Sequence, residues 1–317
     1  MKYQQVTRSL IIGLVLIMGL ASCSASKMAS DITSGIMYGG SPVIEQESDP
    51  YVAETSGLAL LKTLEIFAYH NPSNRKYQLL LAKNYANYAF GFLENKLYSY
   101  EGVDPAKYEE ILARTKLFYS RGRDYGLNLL RENKRFAKAL DKDMETFEKA
   151  VRRLSRGKQE ALFWTAFSWG GLINWSKDDP MAIIQLGKVE RMMARAAELD
   201  NTYFYGSPHL FFGVYYGSRP AMLGGDLKKS KENFDQAINI THGRFFFSKV
   251  LYAQFYAVQA QDRALFSKLL GEVIAGDVNV LPEQRLANIL AQQRAHIFLS
   301  KGDELFATTE GYSPAAY

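Results

Sequence analysis

The sequence predicts an all-α protein, a degenerate tetratricopeptide-like helical-repeat array of about eleven helices. Apolar residues recur at helical spacing along most of the chain, and no convincing alternating strand pattern is present. Capping residues and prolines mark where successive helical runs begin and end. In the C-terminal half, side chains recur at the spacing found in the second helix of a tetratricopeptide unit.

The first 22 residues have the pattern of a lipoprotein signal peptide. Lys2 and Arg8 form a positive start, and 10–20 is an uncharged run, shorter than the ~20 residues that cross a bilayer. The order Leu-Ala-Ser-Cys at 20–23 resembles the lipidation site of bacterial lipoproteins. Cys23 is the only cysteine, so lipidation would give a purpose to a thiol that has no disulfide partner in the chain. We expect acyl chains on Cys23 to hold the mature protein at a membrane.

The residue after the cysteine predicts the location of the protein. Ser24 rather than aspartate follows Cys23, which by resemblance to enteric lipoproteins favours the periplasm and the inner face of the outer membrane. Exported compartments lack ATP, which argues against ATP-driven chemistry. The net charge of +5 falls to +3 once Lys2 and Arg8 are removed, so charge does not favour a nucleic-acid partner.

Three regions follow from composition: the signal peptide at 1–22, a flexible tether at 23–50 and a helical domain at 51–317. The tether is predicted because its residues are small and polar and include Gly39, Gly40 and Pro42. Asp104-Pro105 and Ser207-Pro208 each pair an N-cap with a proline in the first helical turn. The expected helices span 51–70, 75–97, 104–131, 135–154, 159–176, 180–199, 207–217, 226–240, 246–260, 262–275 and 282–306.

A repeat is visible in the later helices, although its copies are unevenly spaced. The pattern of a small residue, a large residue four positions on and alanine three further is met by Ser230, Phe234 and Ala237. Looser copies begin at Val189 and Asp262, at intervals of 41 and 32 residues. Each helix pair would have an apolar face that stacking on the next pair buries, which leaves a concave surface for partners.

The glycine-rich stretch at 213–238 raises the question of a phosphate-binding loop. Such a loop needs a lysine after its last glycine, whereas Asp226 follows Gly225 and would repel a phosphate. A turn between two helices accounts for the residues: Gly224 and Gly225 permit positive φ and Asp226 caps the next helix. Arg219 is not required by a turn. It either binds the carbonyls at the end of the preceding helix, which we favour, or anchors a ligand carboxylate.

The run 161–175 has no charge, and its aromatic residues lie all around the predicted helix. A helix that is apolar on every side is normally buried, so a central core helix is the first interpretation. In the alternative, Trp164, Phe167 and Asn174 line an apolar ligand cavity, with Arg219 as a further candidate. The two interpretations are compatible if the array curls around this helix.

Several segments in a fairly specific order along nearly the whole mature chain carry a family resemblance: 161–169, 188–200, 219–226 with Phe234 and Ala237, 262–266, and 286–292 running toward 304–306. Through these segments the chain resembles the T component of tripartite ATP-independent periplasmic (TRAP) transporters.

This resemblance implies a lipid-anchored, tetratricopeptide-like protein that forms a homotrimer. It also implies association with a periplasmic substrate-binding protein of the transporter and an apolar cavity that passes a hydrophobic small molecule. The main alternative is a tetratricopeptide lipoprotein that acts as a scaffold for outer-membrane or pilus assembly, with no ligand.

An enzyme is the least favoured class. A helical glycosidase acting on the cell wall would need a glutamate in an open cleft, and nothing singles one out. The sequence has no nucleophile elbow of the G-x-S-x-G kind, so no catalytic residue is predicted. The four histidines are far apart in sequence, and we expect no metal site and no cofactor.

Overall fold

The computed structural model describes residues 26–306, and within them every regular element is helical and no strand occurs. The predicted all-α class is confirmed. Two π-helical segments, Ala89–Leu93 and Tyr252–Ala257, continue α4 and α14. The α-helices are α1 (26–39), α2 (Ser41–Glu45), α3 (Pro50–His70), α4 (Arg75–Tyr88), α5 (Glu94–Tyr100), α6 (Pro105–Arg131), α7 (Lys134–Ala139), α8 (Met144–Arg152), α9 (Gln159–Asn174), α10 (Pro180–Ile184), α11 (Leu186–Leu199), α12 (Tyr203–Gly217), α13 (Leu227–Thr241), α14 (Phe247–Leu251), α15 (Arg263–Ala275), α16 (Arg285–Ser300) and α17 (Gly302–Leu305).

Capping residues start several helices where the sequence predicts them. The carboxylate of Asp104 accepts a hydrogen bond from the backbone N–H of Lys107, and Pro105 begins α6. Asp226 caps α13 in the same way, by accepting from the N–H of Lys229 at 3.0 Å. Each cap satisfies an N–H that has no partner inside its own helix.

Some predicted helices are divided. The run predicted at 135–154 forms α7 and α8, because Asp143 accepts from the N–H of Thr146 and caps a new helix. The run predicted at 246–260 passes from α14 into a π-helical segment. The range of α12 begins at Tyr203, but Phe204, Tyr205 and Gly206 have left-handed backbone. Its regular right-handed part therefore begins at Ser207, where the sequence predicts the start.

The described part of the predicted tether is helical. α1 is held to the body by the side chains of Asn71 and Asn74, which donate hydrogen bonds to Asp31, and by the Tyr77 hydroxyl, which donates to the carbonyl of Ser30 at 2.8 Å. The small, polar composition of this region predicts a flexible tether. In the structure the same small residues, such as Ser30, let α1 lie close to the turn between α3 and α4. Cys23 lies outside the described residues.

Apolar side chains form three clusters. One lies among α3 to α6, the second among α6 to α11 around α9, and the third among α13 to α16. The uncharged α9 packs against α4, α6 and α11, as expected for a central core helix. α16 packs against α2, α3 and α5, so the C-terminal helices close back on the N-terminal ones. The tetratricopeptide-like repeat itself remains a prediction.

Candidate ligand cavity

An apolar cavity of about 110 Å³ lies where the three clusters meet. Its walls come from α2, α3, α4 with the following π-helical segment, the start of α12, the start of α14, and α16. Elements distant in sequence therefore enclose one space. Five phenylalanines line this space: Phe90, Phe92, Phe204, Phe245 and Phe247.

The π-helical segment places two of these rings. Phe90 packs against Phe247, with ring centroids 4.7 Å apart, and Phe92 packs against Tyr88 at 5.1 Å. The carbonyl of Phe90 accepts a hydrogen bond from the guanidinium of Arg294, which also lies over the Phe90 ring at 4.4 Å. A buried arginine on α16 thus fixes this wall, and π-helical turns are frequent at functional sites.

Asn288 holds the second pair of rings. Its side-chain oxygen accepts a hydrogen bond from the backbone N–H of Phe246 at 2.9 Å, and its amide nitrogen donates to the carbonyl of Arg244. Because Asn288 is fully buried on α16, both bonds lie in an apolar environment, where losing a partner would be costly. Because these bonds fix the backbone at Phe246, its neighbours Phe245 and Phe247 are held at the cavity wall.

Phe204 reaches the cavity through an unusual backbone. Phe204 and Tyr205 have φ of 44° and 61°, and Gly206 continues the left-handed turn at 76°. Left-handed backbone costs an ordinary residue about 1–2 kcal/mol. The turn is held by the hydroxyl of Tyr203, which accepts from Trp164 Nε1 at 2.9 Å, and burial raises the pKa of that hydroxyl.

The polar part of the wall carries no unpaired charge. Glu45 of α2 pairs with Lys83 of α4 and also accepts a hydrogen bond from Gln284 Nε2 at 2.9 Å. Asn84 and Asn87 add amide groups. A ligand would therefore meet aromatic rings together with amide groups and a carboxylate that is already paired, a composition common in small-molecule sites.

A second, more open pocket of about 510 Å³ lies on the other side of the π-helical segment. Gly91 and Phe92 line both spaces, so this segment forms the wall between them. The second pocket is the more polar of the two, since Glu54 and Lys96 form an ion pair there and His296 lies nearby.

The residues predicted to line a cavity lie elsewhere. Trp164 is buried in the cluster around α9, and Phe167 packs against Phe90, which does line the cavity, with ring centroids 5.6 Å apart. Neither of them, nor Asn174 or Arg219, lines either of the two spaces. No hydrogen bond is formed by the Asn174 side chain within residues 26–306. The sequence offered a signal for the walls of this space in two dense aromatic runs at 90–92 and 245–247, which the helix periodicity did not single out.

Arg219 binds the end of α12, as we favoured. Its Nε and Nη2 donate to the carbonyl of Tyr215 at 3.1 and 2.8 Å, and its guanidinium lies over the Tyr215 ring. Of the two glycines expected to permit positive φ, Gly224 adopts it, with φ 84°, and Gly225 does not. Gly225 is required for another reason, since a Cβ there would lie 1.9 Å from the carbonyl oxygen of Arg219.

The described part of the chain shows neither a metal site nor a membrane-spanning helix. No group of three or more histidine, cysteine, aspartate or glutamate side chains could hold a metal ion there. Among the same residues, no helix combines the length and the apolar character needed to cross a bilayer.

Comparison with known proteins gives two matches. The model of a family described as "TRAP transporter T-component" matches residues 46–306. A protein of Treponema pallidum (strain Nichols), described as uncharacterized, is 24% identical over 261 residues, which cover 80% of this chain and 79% of that protein. The matched region includes every residue of the cavity wall except Ser41, Ile44 and Glu45 of α2.

Proposed function

The chain belongs to the TRAP transporter T-component family, and we propose that it acts as a lipid-anchored periplasmic accessory protein that docks a substrate-binding protein and accepts a hydrophobic ligand. The family is a transporter component rather than an enzyme family. Lipidation at Cys23, the periplasmic location and the homotrimer belong to this proposal, on the strength of the signal sequence and the family resemblance.

The apolar cavity carries the ligand part of the proposal. Five phenylalanine rings and several amides line a space with no unpaired charge. An apolar molecule would gain free energy on entering it from water, whereas a charged molecule would lose hydration that the wall does not replace. An apolar cavity can bind apolar guests without polar recognition; a cavity of about 150 Å³ binds benzene.

The present volume sets a condition on the ligand. At about 110 Å³ the cavity accommodates only a short apolar group, so a longer molecule requires the aromatic walls to move. Two of the walls are irregular: the π-helical segment that carries Phe90 and Phe92, and the left-handed turn that carries Phe204. Strained and irregular backbone of this kind is common where a protein changes shape on binding.

Filling the cavity tests the proposal. Ala287 lies on α16 and lines the cavity, whereas Ala59 lies exposed on α3, so each can be changed to phenylalanine at a helical position. We expect the parent and Ala59→Phe to bind a neutral naphthyl fluorophore with equal affinity and Ala287→Phe to bind it at least tenfold more weakly. Melting temperatures of all three show that the variants are folded. Equal binding by all three proteins would remove the ligand role and favour a scaffold.

A further inference from the structure

α1 packs on the protein through a polar face and exposes an apolar one. Its buried side chains are polar, with Ser30 8% and Ser34 1% exposed. Three of its aliphatic side chains point outward, with Met28 64%, Ile32 58% and Ile36 70% exposed, and only Met37 packs partly against the body. A surface helix normally does the opposite, because burial of apolar side chains stabilises packing.

Helix geometry makes this a continuous stripe. Met28, Ile32 and Ile36 are spaced by four residues and lie on one face, while Ser30 and Ser34 are offset from them by two residues and lie on the opposite face. The serine face is fully engaged: Asn71 Nδ2 donates to Ser30 Oγ at 3.2 Å, and Asn74 Nδ2 donates to Ser34 Oγ at 3.0 Å. The outward direction of the stripe is therefore set by hydrogen bonds on the other side of the helix.

We propose that this stripe is a membrane-contact surface, on which α1 lies in the interface of the bilayer that carries the lipid anchor. The proposal rests on the lipidation of Cys23 in the proposed function. The described part of α1 begins three residues after Cys23. Three residues of chain span at most about 10 Å. Acyl chains on Cys23 would thus keep the stripe within reach of the bilayer surface.

Charge near the stripe favours a bilayer as the occupant. Lys27 and Lys76 are exposed, and neither forms an ion pair within the described residues 26–306. Lys76 Nζ lies beside α1, 3.3 Å from where a Cβ on Gly35 would be. Two exposed ammonium groups without an ion-pair partner in residues 26–306, next to an apolar stripe, match anionic headgroups above an acyl layer.

Other occupants fit less well. A stable contact with a second copy buries roughly 800 Å² per partner, which three aliphatic side chains cannot supply by themselves. The C-terminal stretch at 307–317 contains no valine, leucine, isoleucine or methionine with which to cover the stripe.

The consequence concerns the cavity. Only Gly40 separates α1 from α2, and Ser41, Ile44 and Glu45 of α2 line the cavity. With α1 lying on the bilayer, α2 and the cavity residues that it carries would be held near the membrane surface, from which a hydrophobic ligand would be taken or to which it would be returned.

Vesicle binding by the unacylated protein tests the surface without the anchor. The mature chain with Cys23→Ser is mixed with vesicles of equal parts phosphatidylethanolamine and phosphatidylglycerol and sedimented. We expect reversible binding, weaker than that of a myristoyl chain, whose constant is about 10⁴ M⁻¹. Adding Ile32→Asp should weaken binding at least tenfold, as should the milder pair Ile32→Ser and Ile36→Ser. The matched control is Met222→Asp, at an apolar side chain that is 89% exposed far along the chain, and it should bind like the parent.

Two results would overturn the proposal. One is a parent that does not bind vesicles, or an Ile32→Asp variant that binds as well as the parent. The other is a parent that is oligomeric without lipid and becomes monomeric on Ile32→Asp, because the stripe would then be an interface between copies. The fluorophore titration needs no vesicles, so failure of the cavity role and failure of the membrane surface are distinguishable.

Discussion

Arg294 Nη1 lies 3.1 Å from Glu94 Oε2, and both side chains are buried beside the cavity wall. The contact has the separation of a hydrogen bond but not its angle, so it is an ion pair. Glu94 is further satisfied by the hydroxyl of Tyr119, which donates at 2.6 Å, and by Trp175 Nε1 at 2.9 Å. Arg294 Nε donates to Asn95 Oδ1 at 2.6 Å. The pair ties α16 to α5 at the point where the C-terminal helices meet the N-terminal ones.

Breaking this pair from one side should be strongly destabilising. Arg294→Met leaves the carboxylate of Glu94 buried without its cation, and we expect the free energy of unfolding to fall by about 3–5 kcal/mol in denaturant titration. The double change Arg294→Met with Glu94→Gln should recover part of the loss. The control is Lys231→Met, which removes an exposed ion pair with Asp235 and should cost less than ~1 kcal/mol. A loss at Arg294 no larger than at Lys231 would show that the buried pair is not structural.

At Phe204 in the left-handed turn, glycine should be more stable than alanine, the reverse of their order in a regular helix. In a regular helix glycine is about 1 kcal/mol less stable than alanine, whereas at the positive φ of Phe204 it avoids the left-handed penalty of about 1–2 kcal/mol. We expect Phe204→Gly to be more stable than Phe204→Ala by about 1 kcal/mol, because both remove the same ring. Thermal unfolding of the pair measures the difference. An alanine variant at least as stable as the glycine variant would mean that Phe204 does not have this backbone.

Adjacent glycines in the turn before α13 should respond differently to alanine. At Gly225 a Cβ would lie 1.9 Å from the carbonyl oxygen of Arg219, which forces the backbone apart. At Gly224 the φ of 84° is unfavourable for alanine, but no atom lies within 4 Å of the added Cβ. We expect Gly224→Ala to cost about 1 kcal/mol and Gly225→Ala to cost more, by denaturant titration. A larger loss of stability for Gly224→Ala than for Gly225→Ala would contradict the close contact between position 225 and the carbonyl oxygen of Arg219.

Lipidation at Cys23 predicts where the protein is found after cell fractionation. Cys23→Ser removes the acyl acceptor, and we expect metabolic labelling with a radioactive fatty acid to be lost. Most of the protein should then leave the washed membrane fraction, because the α1 stripe alone binds weakly and reversibly. A control change at the neighbouring Ser24, to alanine, should leave labelling intact. Full retention of the Cys23→Ser protein on washed membranes would place the anchor elsewhere.

Local patterns predicted much of the fold. The cap and proline at Asp104 and Pro105 begin α6 as expected, and Asp226 begins α13, because caps depend on residues close in sequence. The buried character of α9 also followed from its lack of charge. The division at Asp143 was missed because the helical charge pattern continues through it.

The cavity could not be found in the same way. Its walls bring Phe90 of the N-terminal half against Phe247 of α14, with Leu290 of α16 lining the same space, and no local period reports residues so distant in sequence. Trp164 and Phe167 were chosen for their uncharged surroundings, but that character reflects burial in the cluster around α9. The helical tether was missed because Ser30 and Ser34 are buried through hydrogen bonds rather than apolar contact.

Mass spectrometry of the protein purified from its own membranes tests the central claim most directly. The parent and the exposed control Ala59→Phe should each carry a non-covalently bound apolar molecule, seen in the native spectrum and in the organic extract. Ala287→Phe, whose ring occupies the cavity, should be folded and carry none. A parent that carries no apolar molecule, or an Ala287→Phe protein that retains it, would contradict the assignment of this cavity as the ligand site.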